Sequence, residues 1–242
     1  MPEASLTKGI LYLIPTTLGN DDVKVFLPEH VINIIDTLDE FIAENAKTAR
    51  QFLKQCNISK PQSQITVNEL DKHAPKFNQP ELFDSLLNGK NVGLMSEAGC
   101  PGIADPGAEV VAIAHQKDIK VVPLTGPSSI LLALMASGLN GQQFYFHGYL
   151  PKEKGECIAA IKKMEVHSQK NNCSQIFIET PYRNQQLLQL LIETCQPQTK
   201  LCLAKEINMS TEQIQTKTIA HWKKEKPELS KKPCVFLLLG SN

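Results

Sequence analysis

The sequence predicts an α/β protein of two lobes, each a sheet flanked by helices, with a ligand cleft between the lobes. Apolar runs of strand length alternate with segments of helical spacing, which implies βαβ units and a largely parallel sheet. Three early strands run into loops rich in glycine and proline, at residues 15–20, 96–107 and 123–129. The pattern resets near Gly138-Leu139-Asn140-Gly141, dividing the chain into a lobe over residues 1–139 and a second over 140–242.

Each element follows from local chemistry. Ile10–Ile14 is a short apolar strand that ends at Pro15-Thr16-Thr17-Leu18-Gly19-Asn20. Residues 28–38 carry Val31, Ile34, Ile35 and Leu38 at helical spacing, residues 40–43 read as a strand, and residues 46–55 as a helix. Residues 65–67 are a further short strand, residues 82–87 belong to a helix, and residues 91–95 are an apolar strand. After the long loop 96–107 come a helix over 108–117, a strand over 120–123 and a helix over 130–137. In the second lobe, strands are expected at 144–147, 176–178, 200–204 and 234–239. Helices are expected near 157–166, 184–194 and 218–224.

The stretch 96–107 holds three glycines and two prolines in twelve residues, directly after a buried strand. Glycine costs entropy unless its φ freedom or small size is used, so this density points to a ligand rather than to packing. Asp105 followed by Pro106 is a helix-start signal, and a helix cap is the favoured reading of Asp105 over a catalytic base. Loops at strand carboxyl ends are where open α/β sheets bind ligands, and helix N-termini add partial positive charge. No G-x-G-x-x-G follows the first strand and no G-x-x-x-x-G-K-[ST] is present, so dinucleotide and P-loop sites are poorly supported.

Composition narrows the setting. No apolar run approaches the length of a membrane span, and residues 235–239 suit a buried strand. The N-terminus lacks a basic region leading into an apolar core, so no secretory signal is expected. Seven cysteines without a C-x-x-C pair argue against a disulfide framework or a zinc site, and for a reducing cytoplasm. Formal net charge is zero, yet residues 1–150 hold 11 Lys+Arg against 16 Asp+Glu, whereas residues 151–242 hold 14 against 9. The cations gather in 152–163 and 223–232, either as solvated loops or as a face for a polyanion.

Residues 96–107 closely resemble the S-D-A-G-x-P-G-I-S-D-P-G block of the ribosomal small-subunit methyltransferase I family, within the tetrapyrrole (corrin/porphyrin) methylases. Further matches follow in order: Pro15-x-x-Leu18-Gly19-Asn20, Ala43-Glu44, Arg50, Pro123-Leu124-x-Gly126-Pro127-Ser128, Gly148-x-Leu150-Pro151, Glu179-x-Pro181-x-Arg183 and Ala204-x-Glu206. The resemblance implies the tetrapyrrole-methylase fold, S-adenosylmethionine in the cleft, a homodimer, and 2′-O-methylation of a cytidine ribose in 16S ribosomal RNA of the small ribosomal subunit. The chain departs from the pattern where Glu-Asp-Thr-Arg becomes Glu44-Asn45-Ala46-Lys47, where an Asp becomes Glu97, and where Glu-Leu-Thr-Lys becomes Glu206-Ile207-Asn208-Met209. A small tetrapyrrole-like acceptor, or a non-catalytic RNA-binding protein that keeps the fold, are the alternative readings; the basic second lobe favours RNA.

Methyl transfer from a sulfonium is an in-line displacement, so alignment is the protein's main task. Backbone groups of Gly99, Pro101, Gly102 and Ile103 are candidates to line the donor, joined through the matched motifs by Pro15, Gly19, Ser96, Ala98, Cys100, Glu179, Pro181 and Ala204. Ser128 and Ser129, at a helix start, are candidates for the donor carboxylate or are ordinary caps. A ribose hydroxyl is a poor nucleophile, and Glu97, Glu44, His147 and Glu179 are candidates to assist its deprotonation. Arg183 is a candidate partner for an RNA phosphate, as are Lys223 and Lys224, with Trp222 beside them to stack a base.

Overall fold

The computed structural model describes residues 7–19, 22–70, 79–104, 106–229 and 231–241. Asn20 and Asp105, both singled out above, lie outside these residues. Two compact units divide the chain, residues 1–128 and 129–242.

The first unit is a parallel sheet. Its strands are β1 (Ile10–Ile14), β2 (Glu40–Ala43), β3 (Thr66–Glu69), β4 (Val92–Met95) and β5 (Lys120–Pro123), in the order β3-β2-β4-β1-β5. Its helices are α1 (Val23–Phe26), α2 (Glu29–Thr37), α3 (Ala46–Gln55), α4 (Asp84–Leu87) and α5 (Ala108–Gln116). Residues from α2 and α3, including Val31, Ile35, Phe52 and Leu53, cluster with Ile14, Phe41 and Met95. A separate cluster joins Leu11, Ile42 and Leu94 to Leu86 of α4 and to Val110 and Ala114 of α5. Helices therefore cover both faces, as a parallel sheet requires. Gly93 makes the centre of the sheet possible: a Cβ there would lie 2.5 Å from Ile14 Cδ1 and 2.8 Å from Phe41 Cδ1.

Helix α5 begins at Ala108, where the helical spacing places it. Gly107 has φ +125° and occupies the cap position, so the chain turns helical only at Ala108.

The second unit contains α6 (Ser129–Ser137), β6 (Phe144–Tyr149), α7 (Lys154–Asn171), β7 (Ser174–Ile178), α8 (Asn184–Thr194), β8 (Lys200–Lys205), β9 (Gln213–Thr218), α9 (Ile219–Glu225) and β10 (Cys234–Leu239). The sequence pattern resets after residue 139, whereas the observed division falls ahead of α6, because this helix packs on β8, β9 and β10. The sheet order is β6-β7-β10-β8-β9. Among the described strands of this sheet only β6 and β7 run parallel, unlike the all-parallel first sheet. The cause is β9, a strand that periodicity did not find. It returns antiparallel to β8 through the short turn 206–212.

Strand β6 also runs past its expected end at His147. A register shift between Phe146 and Tyr149 absorbs His147 and Gly148, the latter at φ +66°. Phe177 and Phe236, opposite each other on β7 and β10, stack at 5.7 Å in the core. Trp222 of α9 is 2% exposed, donates from Nε1 to the Leu201 carbonyl at 2.8 Å, and has Lys217 Nζ 4.8 Å from its ring. It is a core side chain and not the base-stacking platform considered above.

Replacing Trp222 with Ala should lower unfolding free energy by about 3–5 kcal/mol, the usual cost of emptying a buried aromatic site. Urea unfolding of the two proteins checks this.

Candidate active site

Strands β1 and β4 are neighbours whose outgoing connections diverge. The chain leaving β1 passes through α1 and α2 to β2, on the far side of β4, and the chain leaving β4 passes through α5 to β5, on the far side of β1. Divergent connections open a crevice at the strands' carboxyl ends.

The loops there are tied together. Thr16 N donates to the Gly99 carbonyl at 2.9 Å and Gly99 N to the Thr16 carbonyl at 3.2 Å. Ser96 Oγ donates to the same Gly99 carbonyl at 2.9 Å, and Thr16 Oγ1 to the Ser96 carbonyl at 3.3 Å. The loop after β5 joins them. Cys100 Sγ lies 3.5 Å from the Pro127 carbonyl, and a Cβ on Gly126 would sit 2.2 Å from Pro15 Cγ. Gly99 and Gly102 take φ +80° and +78°, a region that costs L side chains roughly 1–2 kcal/mol. Pro15, Ser96, Gly99 and Pro101 are buried, Gly19, Cys100 and Gly102 are half-buried, and Glu97, Ala98 and Ile103 are exposed. Ser128 ends this unit and Ser129 begins α6.

Glu97 faces helix α3. Its Oε1 accepts from Thr48 Oγ1 at 2.7 Å. The helix start is doubly capped: Asn45 Oδ1 accepts from Lys47 N at 2.9 Å and Thr48 N at 3.2 Å, and Glu69 Oε1 accepts from Ala46 N at 2.6 Å. Glu44 is half-buried just ahead of this cap. A recess of about 200 Å³ opens between α3 and the loops after β1 and β4, lined by Thr16, Thr17, Gly19, Glu97 and Ala98 among others, and by Thr48, Gln51, Phe52 and Gln55. The α3 residues were missed in the sequence. Their i, i+3, i+4, i+7 spacing was the available signal, but it marks a face without saying what lies opposite.

In the second unit, Glu179 and Arg183 meet each other. Glu179 Oε1 accepts from Thr180 N at 2.7 Å, while Oε2 lies 3.1 Å from Arg183 Nη1. Arg183 Nη2 also donates to the Lys152 carbonyl at 3.3 Å. Lys231 N holds the Pro181 carbonyl at 3.0 Å, and Asn184 Nδ2 donates to the Lys232 carbonyl at 2.6 Å. Lys232 Nζ in turn donates to Glu206 Oε2 at 2.9 Å, and this hydrogen bond holds the Glu206 carboxyl below the usual range. Three segments at one end of the sheet are thereby pinned.

His147 is committed elsewhere. Its Nε2 pairs with Gln175 Oε1 at 2.8 Å, and Gln175 Nε2 reaches His167 Nδ1 at 3.2 Å. Burial lowers the His147 pKa, a lowering that the Gln175 hydrogen bond opposes and the charge of His167 reinforces. In this structure its Nε2 is held by Gln175. Ala204 lies within β8, fully buried and in register with Val235 and Ile214, so its side chain packs the sheet and offers no surface to a ligand. Lys223 and Lys224 are exposed on the last turn of α9, where they complement the helix dipole. All seven cysteines are free thiols. Among the described residues no His/Cys/Asp/Glu group could hold a metal ion, and no helix is long and apolar enough to cross a membrane.

A sequence model of the tetrapyrrole (corrin/porphyrin) methylases matches residues 11–222. The ribosomal RNA small subunit methyltransferase I of Vibrio cholerae is 32% identical over 236 residues, covering 96% of this chain and 77% of the relative. The protein of that name from Bacillus subtilis is 36% identical over 186 residues, 76% of this chain and 59% of the relative. Among solved structures, the methyltransferase CobJ superposes with a TM-score of 0.63 at 15% identity, covering 96% of this chain and 94% of its own. The cobalt precorrin-4 methyltransferase CbiF does so with 0.59 at 13% identity, covering 99% and 97%. At these identities the structures share the fold.

The Glu206–Lys232 pair predicts an acid-side effect. A carboxyl whose folded pKa is depressed adds stability above its unfolded value, near 4.5, and loses it as pH falls through the folded value. Lys232→Met should flatten the fall of stability below pH 4.5. Urea midpoints of both proteins across that range check it, and an unchanged slope would remove the pair from the account.

Proposed function

The chain belongs to the tetrapyrrole (corrin/porphyrin) methylase family and is an S-adenosylmethionine-dependent methyltransferase, and from that premise we propose that its acceptor is a ribose 2′-hydroxyl of small-subunit ribosomal RNA. The observation that carries this reading is the match, over 96% of the chain, to a relative named for that RNA. The basic balance of residues 151–242 supports it, because cations that replace counterions supply most non-specific affinity for RNA.

The donor supplies an electrophilic methyl group on a sulfonium. The tied loops of the first unit suit such a ligand, since Gly102, at positive φ and half-buried, presents bare backbone beside the half-buried Gly19 and Cys100. We assign donor contact to the backbone of Pro15, Gly19 and residues 96–103, with Ser128, Ser129, Glu179 and Pro181 as further holders. Glu97, exposed and oriented by Thr48, is the group we assign to orient the acceptor hydroxyl and take its proton. Glu44 is the alternative carboxylate. In the free protein Arg183 pairs with Glu179, so phosphate contact falls first to Lys223 and Lys224. A second copy of the chain would suit the edge strand β6, whose Phe144, Tyr145 and Tyr149 are all exposed, so we assign a homodimer; the seven free thiols support a reducing cytoplasm.

Glu97→Gln should slow methyl transfer by about 10²-fold or more while S-adenosylmethionine affinity stays unchanged. Labelled-methyl incorporation into small ribosomal subunits from cells lacking the modification, beside calorimetric donor titration, reads both quantities. Equal losses in transfer and donor affinity would assign Glu97 to donor positioning.

A further inference from the structure

We infer that the recess beside helix α3 receives a single nucleobase of the acceptor RNA, with the side-chain amides of Gln51 and Gln55 reading its edge. The inference rests on the RNA-methyltransferase reading above and adds the residues that select the nucleotide. Thr48, Gln51, Phe52 and Gln55 recur at i, i+3, i+4 and i+7, so they share one face of α3, and all four line the recess. Phe52 is anchored in the core at 6% exposure, whereas Gln51 and Gln55 are exposed. Opposite them stand the loops after β1 and β4, with Thr17, Met95 and Glu97 on the wall.

Size decides what fits. Sites that engulf a drug-sized ligand occupy about 300–1,000 Å³. A recess of about 200 Å³ lies below that range and is open to solvent, so it seats one part of a ligand and leaves the rest outside. It holds on the order of six waters, space that suits one planar ring.

Chemistry decides which ring. A glutamine amide carries both a carbonyl acceptor and two N–H donors, the complement of a base edge. RNA-binding proteins read bases that are splayed out of the stack by their edges, against apolar or aromatic walls. Phe52, Met95 and Leu18 provide such walls here. Glu97 lies on the same recess and is fixed by Thr48, so a base seated against α3 brings its own ribose toward the carboxylate assigned to the hydroxyl.

The test is Gln51→Met and Gln55→Met, singly and together. Methionine keeps side-chain length and helix propensity while removing the amide, so folding should persist. With small ribosomal subunits from cells lacking the modification as acceptor, the double variant should raise KM by about tenfold or more, as expected for a lost base-edge pairing. Calorimetric S-adenosylmethionine affinity should stay constant. An unchanged KM in the double variant would overturn base reading by α3. A matching loss of donor affinity would overturn it too, by assigning the recess to the donor. An unmodified protein that binds S-adenosylmethionine but methylates no RNA would overturn the underlying reading, and this inference with it.

Discussion

The pair of hydrogen bonds between Thr16 and Gly99 is the constraint on which the first unit's site depends. Parallel neighbours β1 and β4 send their chains in opposite directions, so their carboxyl-end loops would otherwise splay apart. A two-way backbone bridge closes that gap, and it needs Gly99 at φ +80°, which a side chain would oppose. Once it is in place, the remaining ties follow. Ser96 adds a second donor to the Gly99 carbonyl, and Gly126 lets the loop after β5 close against Pro15. The glycine density of 96–107 is thus the condition for three loops to share one surface.

The departures from the family pattern acquire physical content at the same place. Asn45 stands where the family has Asp and still caps α3 through its carbonyl oxygen, so the helix start survives the loss of charge. Glu97, one methylene longer than the usual Asp, reaches Thr48 across the recess. Helix α3 and the loop after β4 are coupled through that contact, so the helix orients the Glu97 carboxylate. In the second unit, the Pro181 segment is held from both sides, by Lys231 and by the Glu179–Arg183 pair. Its cation is engaged inside the protein before any partner arrives.

Much of this was legible in the sequence, and the misses have common causes. Buried parallel strands such as β4 are continuous apolar runs ended by Gly and Pro, so both the strand and the loop show. Strand β9, Gln213–Thr218, is a polar edge strand with only Ile214 as an apolar member, and its pairing with β8 decides what periodicity could not. Without it, the reversal that turns β10 antiparallel to β7 and β8 is not visible. The longer extents of β6 and α7 were hidden by a register shift at Gly148 and by a helix with apolar residues on no single stripe. The Thr48–Glu97 bond joins residues 49 positions apart, and Trp222 sits beside lysines in sequence yet packs under β8 in space. Contacts of that range are properties of the fold. Local pattern carries no trace of them.

The central claim is that donor binding rests on the bridged loops of the first unit, and Gly99→Val addresses it most directly. The measurement is calorimetric titration of S-adenosylhomocysteine into the unmodified and Gly99→Val proteins, each shown to be folded by circular dichroism. One site per chain in the first, and at least a tenfold loss in the second, is the predicted result, because a β-branched residue opposes the φ that holds the Thr16–Gly99 bridge and so displaces the loops. Equal affinity in two folded proteins would contradict the claim and move the donor off these loops.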